Sequence, residues 1–322
     1  MIPAIRLSKE EKERITQRAK DLGASQVTYL NIKDYKSPAS PDPKLIVHPE
    51  IRSFIIMAFP ELRGTYMCQN YLRSFGFLGV DTQSLYAGMG VGGFIEENYD
   101  ADAVILPIHR PFDVTANTFR RVIAPVSFRH AAVQSGMGVF GRNTLVVTPK
   151  WGAMVRFGVL ATTLEIDSTP PLEGFNPCKG CKYPCVENCP VNAIDEEGKV
   201  LQHRCTKYSQ PYDVGNYMRA QLKILDMDSE EKKEFIKSPH FFNLYQAAMG
   251  FLFYRCIECQ RGCPMERSRP EYAGNIPVPR NATSLENPWD PKYDIFTQSF
   301  SYGKKEDMVV EFEGEEVTKK EA

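Results

Sequence analysis

Cys178-Lys179-Gly180-Cys181-Lys182-Tyr183-Pro184-Cys185-Val186-Glu187-Asn188-Cys189-Pro190 is the stretch on which the organisation of this chain turns. A second run, Cys256-Ile257-Glu258-Cys259-Gln260-Arg261-Gly262-Cys263-Pro264, repeats its close, and Cys205 lies between them. Eight of nine cysteines thus fall between residues 178 and 263, with Cys68 alone outside. Crowding of this kind points to metal ligation.

Iron–sulfur clusters need four converging thiolates each. A tight loop supplies two or three, and where two [4Fe-4S] clusters share a chain, the cysteine before proline ligates the other cluster. By that rule Cys178, Cys181, Cys185 and Cys263 hold cluster one, and Cys189, Cys205, Cys256 and Cys259 hold cluster two. One spacing departs from the usual run: Lys182-Tyr183-Pro184 puts three residues where two are common. A structural zinc site also takes four cysteines in CxxC pairs and is the competing reading. The repeated Cys-Pro favours iron–sulfur.

Away from these loops the chain is ordinary: 322 residues, 43% hydrophobic, 25% charged, net charge −1, pI about 6.5. No basic excess marks a nucleic-acid binder. The first residues, Met1-Ile2-Pro3-Ala4-Ile5-Arg6, lack the apolar core of a signal peptide, and no twin-arginine motif is present. No apolar stretch reaches the length of a membrane helix. These features predict a cytoplasmic protein without membrane contact, where a disulfide framework is not expected.

Ser8 and Glu11 form a capping-box pattern opening a helix to about Leu22, with Gly23 as its stop. Strands are expected at 26–30, 53–59 and 103–107, a loop at 34–46, and a Gly-rich helix at 79–98. A helix from Ser127 to Gln134 ends at Gly136. Asn143–Thr148 and Ala153–Thr162 read as two strands around Pro149-Lys150-Trp151-Gly152. Residues 218–249 read as helical with a break at Ser238-Pro239. The pattern predicts an α+β chain in three parts: an α/β domain over 1–168, a two-cluster domain with a helical insertion over 169–270, and a Pro-rich, charged tail over 271–322. The charges from Lys304 to Ala322 read most simply as a solvated tail.

Three stretches carry a resemblance to a known family: Ala124-Pro125-Val126 running into Ala132-Val133-Gln134-Ser135-Gly136-Met137-Gly138-Val139-Phe140-Gly141-Arg142-Asn143-Thr144; Thr148-Pro149-Lys150-Trp151-Gly152 through Arg156 to Leu164; and the cysteine region. They resemble the epoxyqueuosine reductases and their relatives, the corrinoid reductive dehalogenases. The resemblance implies a nitroreductase-like domain followed by a ferredoxin-like module with two [4Fe-4S] clusters. It implies a cobalamin reduced by those clusters, and Gly136, Met137, Gly138, Gly141, Arg142, Asn143 and Thr144 as the segment against it. From the glycines alone, a helix stop and turn is the favoured reading; the surrounding pattern raises the corrin reading to equal standing.

Two departures stand out. The family's epoxyqueuosine reductases carry a proton-donating Asp two residues before the Ala-Pro-Val equivalent; here that position is Val122, followed by Ile123, and neither holds a proton. Nor does the stretch after Cys263 resemble the helical repeats many of them use on tRNA. Tyr99 and His130 are the candidate replacement donors; a packed tyrosine or a plain helix histidine is the bland alternative for each. The expected reaction is reduction of a small organic substrate, with electrons from a ferredoxin- or flavodoxin-type donor or a partner redox subunit and no nucleic acid. Two alternatives are kept: an electron-transfer subunit without its own catalysis, and epoxyqueuosine reduction in tRNA with a relocated donor.

Overall fold

The computed structural model describes residues 5–37, 42–67, 70–108, 124–209, 214–250, 256–265, 309–312 and 315–318. Cys68, Val122, Ile123 and most of the Pro-rich tail lie outside the described residues. The chain divides into two compact units. One comprises Met1–Glu61, Gly79–Lys182 and Met265–Ser268; the other comprises Leu62–Leu78, Tyr183–Pro264 and Arg269–Ala322.

The first unit opens with α1 (Lys9–Asp21), which starts at the expected capping box: Glu11 N–H donates to Ser8 Oγ, and Ser8 N–H donates to the Glu11 carboxylate. Gly23, at φ +100°, turns the chain into β1 (Gln26–Asn31). Next come α2 (Pro43–Ile46), β2 (Ser53–Pro60), α3 (Asn70–Asn98), whose first turns count with the other unit, β3 (Ala103–Ile105) and α4 (Phe128–Gln134). Then β4 (Val139–Phe140), β5 (Val146–Val147) and β6 (Val155–Thr162) follow.

Four strands make an antiparallel sheet in the order β1-β2-β6-β3. The unbroken apolar run of β2 fits a strand covered on both faces. Phe54, Ile56 and Ala58 pack on one side with Ala131, Ala132, Met137 and Trp151. Ile55, Met57 and Phe59 pack on the other with Ile15 and Ala19 of α1 and Val80, Val91 and Ile95 of α3. The unit is therefore a sheet between two helical layers, and α+β in class because its strands are antiparallel.

Three expectations change. The 34–46 loop contains α2, because Asp42 caps Lys44 N–H and Pro43 sits at the first helical position. The Gly-rich helix begins earlier, at Asn70. The strand expected over Asn143–Thr148 shortens to β5 (Val146–Val147), which pairs with β4, while β6 lies between β2 and β3. Thr148 and Gly152 close a tight turn with backbone bonds of 2.8 and 3.0 Å, which sends β6 away to the sheet centre.

The second unit holds α5 (Pro184–Glu187), α6 (Gln202–Ser209), α7 (Val214–Asp226), α8 (Ser229–Lys237), α9 (Pro239–Gly250), α10 (Glu258–Arg261), and a hairpin of β7 (Val309–Phe312) and β8 (Glu315–Thr318). That hairpin falls inside the run expected to be a solvated tail; Val309, Val310, Phe312 and Val317 are good strand formers there. The helical break at Ser238-Pro239 is where expected, and Ala220, Phe235, Leu244 and Ala247 form a small core around it. No helix among the described residues is long and apolar enough to cross a membrane.

Within the first unit, Glu61 is 1% exposed and receives Arg156 Nε at 2.7 Å, while Arg156 Nη1 reaches Asp81 at 3.3 Å. A buried carboxylate deprived of its cation is costly. Arg156→Met is expected to lower stability by about 3–5 kcal/mol, read from urea unfolding. Adding Glu61→Gln should return part of the loss.

Candidate metal centre

The extra residue between Cys181 and Cys185 has a definite form. Tyr183 takes the left-handed conformation, φ 57° and ψ 49°, immediately before Pro184 opens α5. A non-glycine residue there is costly, by about 1–2 kcal/mol. Cys185 sits on α5. Cys189 follows it, and its Sγ accepts the Ala193 N–H at 3.2 Å. Cys205 lies on α6 with Ser209 Oγ 4.0 Å from its sulfur.

Burial pushes the Cys256 thiol up to about 12, with Glu258 and Cys205 adding to it. Burial also holds Cys259 well above its ordinary range, helped by Cys256, Cys205, Cys185 and Cys189. Cys205 is raised by burial and further by Cys189. The four cysteines that the sequence assigns to cluster two, Cys189, Cys205, Cys256 and Cys259, thus share one electrostatic neighbourhood with Cys185, which it assigns to cluster one. The raised thiols of Cys205, Cys256 and Cys259 stay protonated at neutral pH; ligation needs positive metal charge to deprotonate them. The all-thiolate donor set and the N–H bond to Cys189 Sγ fit an iron–sulfur cluster. Among the described residues no three His, Cys, Asp or Glu side chains close around the position of a single metal ion.

Gly262 sets the seat of α10 on α5. A Cβ there would stand 2.7 Å from Asn188 Nδ2, 3.2 Å from the Glu258 carbonyl and 3.3 Å from the Pro184 carbonyl.

In the first unit, Cys181 N–H donates to the Cys178 carbonyl at 3.2 Å, a tight turn carrying two of the cluster-one candidates. Cys178 Sγ accepts the Arg142 N–H at 3.4 Å. The glycine-rich segment is thereby bonded to a candidate ligand sulfur. Cys185 and Cys263 belong to the second unit.

The glycines of that segment are filled from within the fold. A Cβ on Gly136, at φ +75°, would meet the Pro170 carbonyl at 2.2 Å; on Gly138, the Val147 carbonyl at 2.6 Å; on Gly141, Val147 Cγ2 at 2.7 Å. Met137 is a core residue, and Asn143 is nearly buried, its Oδ1 accepting the Leu145 N–H. The helix stop and turn therefore account for the glycines. The exposed part of the segment is Phe140, 40% accessible, flanked by partly exposed Arg142 and Thr144. Thr144 is left-handed at φ 59°, an outlier for a β-branched residue, and Arg129 Nη1 holds its carbonyl at 2.9 Å.

His130 and Tyr99 separate. His130, on α4, packs edge-on to Phe140 with ring centroids 5.1 Å apart, and its Nδ1 lies 2.8 Å from Ser127 Oγ. Burial lowers its pKa, and Arg129 lowers it further. Tyr99 packs with Phe94 and the α1–α3 side of the sheet, the opposite face from α4. The structure brings His130 to the segment and leaves Tyr99 away from it. Phe140 and the buried charged residues Arg73, Glu258 and Arg261 were missed. The second CxxC loop with Glu and Arg three apart carries a signal for two of them; nothing local marks Arg73.

No protein-family model matches the chain. An epoxyqueuosine reductase of Vibrio cholerae is 27% identical over 147 residues, 46% of this chain and 32% of that protein. One from Lactococcus garvieae is 27% identical over 136 residues, 42% of this chain and 31% of that protein. A catabolic reductive dehalogenase solved with 3-bromo-4-hydroxybenzoic acid shares the fold, with a TM-score of 0.51 at 16% identity over 65% of this chain and 32% of that one. The likeness to these two groups agrees with the resemblance read from the motifs, and the chain spans about a third of the length of the curated relatives it matches.

Gly262→Val is expected to cost about 1–3 kcal/mol from overpacking and to lower iron uptake on anaerobic reconstitution, measured as iron per chain. Uptake equal to the parent would show that this seat is not needed. His130 gives a pH test. Its folded pKa lies below the ordinary 6.5, so between the two values the unfolded chain binds the proton and the folded chain does not. Stability then falls as pH drops from about 6.5 toward the folded value, and His130→Gln should flatten that slope in denaturation curves.

Proposed function

We propose, taking the likeness to epoxyqueuosine reductases and reductive dehalogenases as the premise, that the chain is a cytoplasmic iron–sulfur reductase that passes electrons through two [4Fe-4S] clusters to a cobalamin and an organic substrate. In this reading the first unit is a nitroreductase-like domain and the cysteine region a ferredoxin-like module. The observation that carries it is the Arg142 N–H bond to Cys178 Sγ, which ties the segment expected at the corrinoid to a cysteine expected at a cluster.

Cobalamin, when bound, supplies a strongly reducing metal centre that the side chains lack. The chain's residues do the rest. Phe140 offers an exposed aromatic face for a large flat ligand, and Arg142 a cation for its anionic groups. Cys178, Cys181, Cys185 and Cys263 hold one cluster; Cys189, Cys205, Cys256 and Cys259 hold the other. His130, its Nδ1 engaged by Ser127 Oγ, would carry a transferable proton at Nε2, the role Val122 cannot fill. A ferredoxin- or flavodoxin-type protein, or a partner redox subunit, would supply electrons. The names of the curated relatives favour a second reading, epoxyqueuosine reduction in tRNA with His130 as relocated donor.

Anaerobically reconstituted protein is expected to carry roughly eight irons per chain, as two four-iron clusters require, and to bind a corrinoid with a base-off cobalt(II) EPR signal. Iron without any corrinoid binding would leave an electron-transfer module. Zinc without iron would remove the cluster assignment. Complementation of a queuosine-deficient strain separates the tRNA substrate from a small one.

A further inference from the structure

The helical insertion of the second unit carries more apolar side chains than its own core uses. Ala220 and Ile224 of α7, Phe235 of α8, and Phe241, Leu244 and Ala247 of α9 make that core. A second set lies outside it. On α7, Met218, Leu222 and Leu225 are exposed, Leu225 to 74%; on α9, Phe242, Tyr245 and Met249 are exposed, Met249 to 68%. The spacing is four then three on α7 and three then four on α9, the repeat with which one helix seats against another. At 3.6 residues per turn the α7 set falls on the side of the helix away from Ala220 and Ile224. On α9, Phe242 and Tyr245 stack with ring centroids 6.3 Å apart, which makes a flat aromatic surface. A helix that is apolar on two faces is ordinarily covered on both, and the small core covers one.

Size and charge select the occupant. The six exposed side chains present on the order of 700 Å² per chain, where a standard interface takes ~800 Å² from each partner. From Pro239 to Gly250 there is no Asp, Glu, Lys or Arg, and α7 has three, of both signs: Arg219, Lys223 and Asp226. Contacts with electron-transfer proteins are small, and fast encounter is steered by complementary charge. Helices that lie on lipid carry a Lys- and Arg-rich polar face. Depletion of charge with enrichment in aromatic residues and Met marks the core of a protein–protein interface, and interfaces between identical chains are the more apolar ones. We infer that α7 and α9 form the interface of a two-fold dimer, with a second copy of this chain covering their outer faces. A two-fold pairing uses the same patch on both copies and closes at two. It does not depend on the cluster or cobalamin assignment.

Sedimentation velocity of the anaerobically reconstituted full chain tests this. The parent is expected at twice the chain mass of 36.5 kDa, with the single-chain species appearing on dilution. Leu222→Glu and Tyr245→Glu each put a charge into the covered face and should weaken association at least tenfold, with helix content by circular dichroism unchanged. Leu45→Glu, on exposed α2 of the first unit, should sediment as the parent does. A parent of single-chain mass at every concentration from about 1 to 100 µM, the range of ordinary specific association, overturns the dimer, as do open-ended larger oligomers. Dimers of parental affinity in both Leu222→Glu and Tyr245→Glu overturn it as well, and so does a loss in Leu45→Glu equal to theirs. Should the glutamates unfold the insertion, Leu222→Gln and Met249→Gln carry the same comparison. Iron per chain, measured on the same samples, reports on the cluster assignment separately.

Discussion

Thiols that are buried together oppose the very charge state in which they bind metal. Around Cys259 the fold brings several sulfurs into its field, so this thiol resists ionisation more than it would alone. A positive metal core, as proposed for this region, would repay that cost. The region's supports follow from this. Gly262 leaves room for α10 to lie on α5, Tyr183 takes the left-handed conformation just before α5, and the Ala193 N–H is directed at the Cys189 sulfur.

Much of this was legible in the residues. The cysteine spacing assigns Cys189, Cys205, Cys256 and Cys259 to one set; in the second unit Cys185, assigned to the other set, lies in the same field around Cys259. The capping box at Ser8, the buried β2 and the stop at Gly136 follow from local chemistry, and local chemistry suffices to read them. The partners of the two strands around Trp151 are of another kind. Partner choice in a sheet depends on which faces are covered, and β6 is largely buried along its length.

The glycine-rich segment shows how one pattern can serve two readings. Each of its glycines is accounted for by an atom of the same unit, Pro170 and Val147 foremost. The features beyond such packing are the exposed ring of Phe140, His130 against its edge, and the left-handed Thr144. Side chains that a motif search would pass over thus stand out from ordinary packing more than the glycines that define the motif.

The bond from Arg142 N–H to Cys178 Sγ also has a thermodynamic side. A sulfur that becomes more negative is a better acceptor. An electron arriving at a cluster held by Cys178 would therefore tighten its grip on the 141–142 peptide, and anything that draws that peptide away would make the electron harder to place. Linkage is reciprocal: occupancy of the segment and the electron count of the metal site would each report on the other. A single peptide group would then serve as the gauge by which the protein senses whether it is charged and ready.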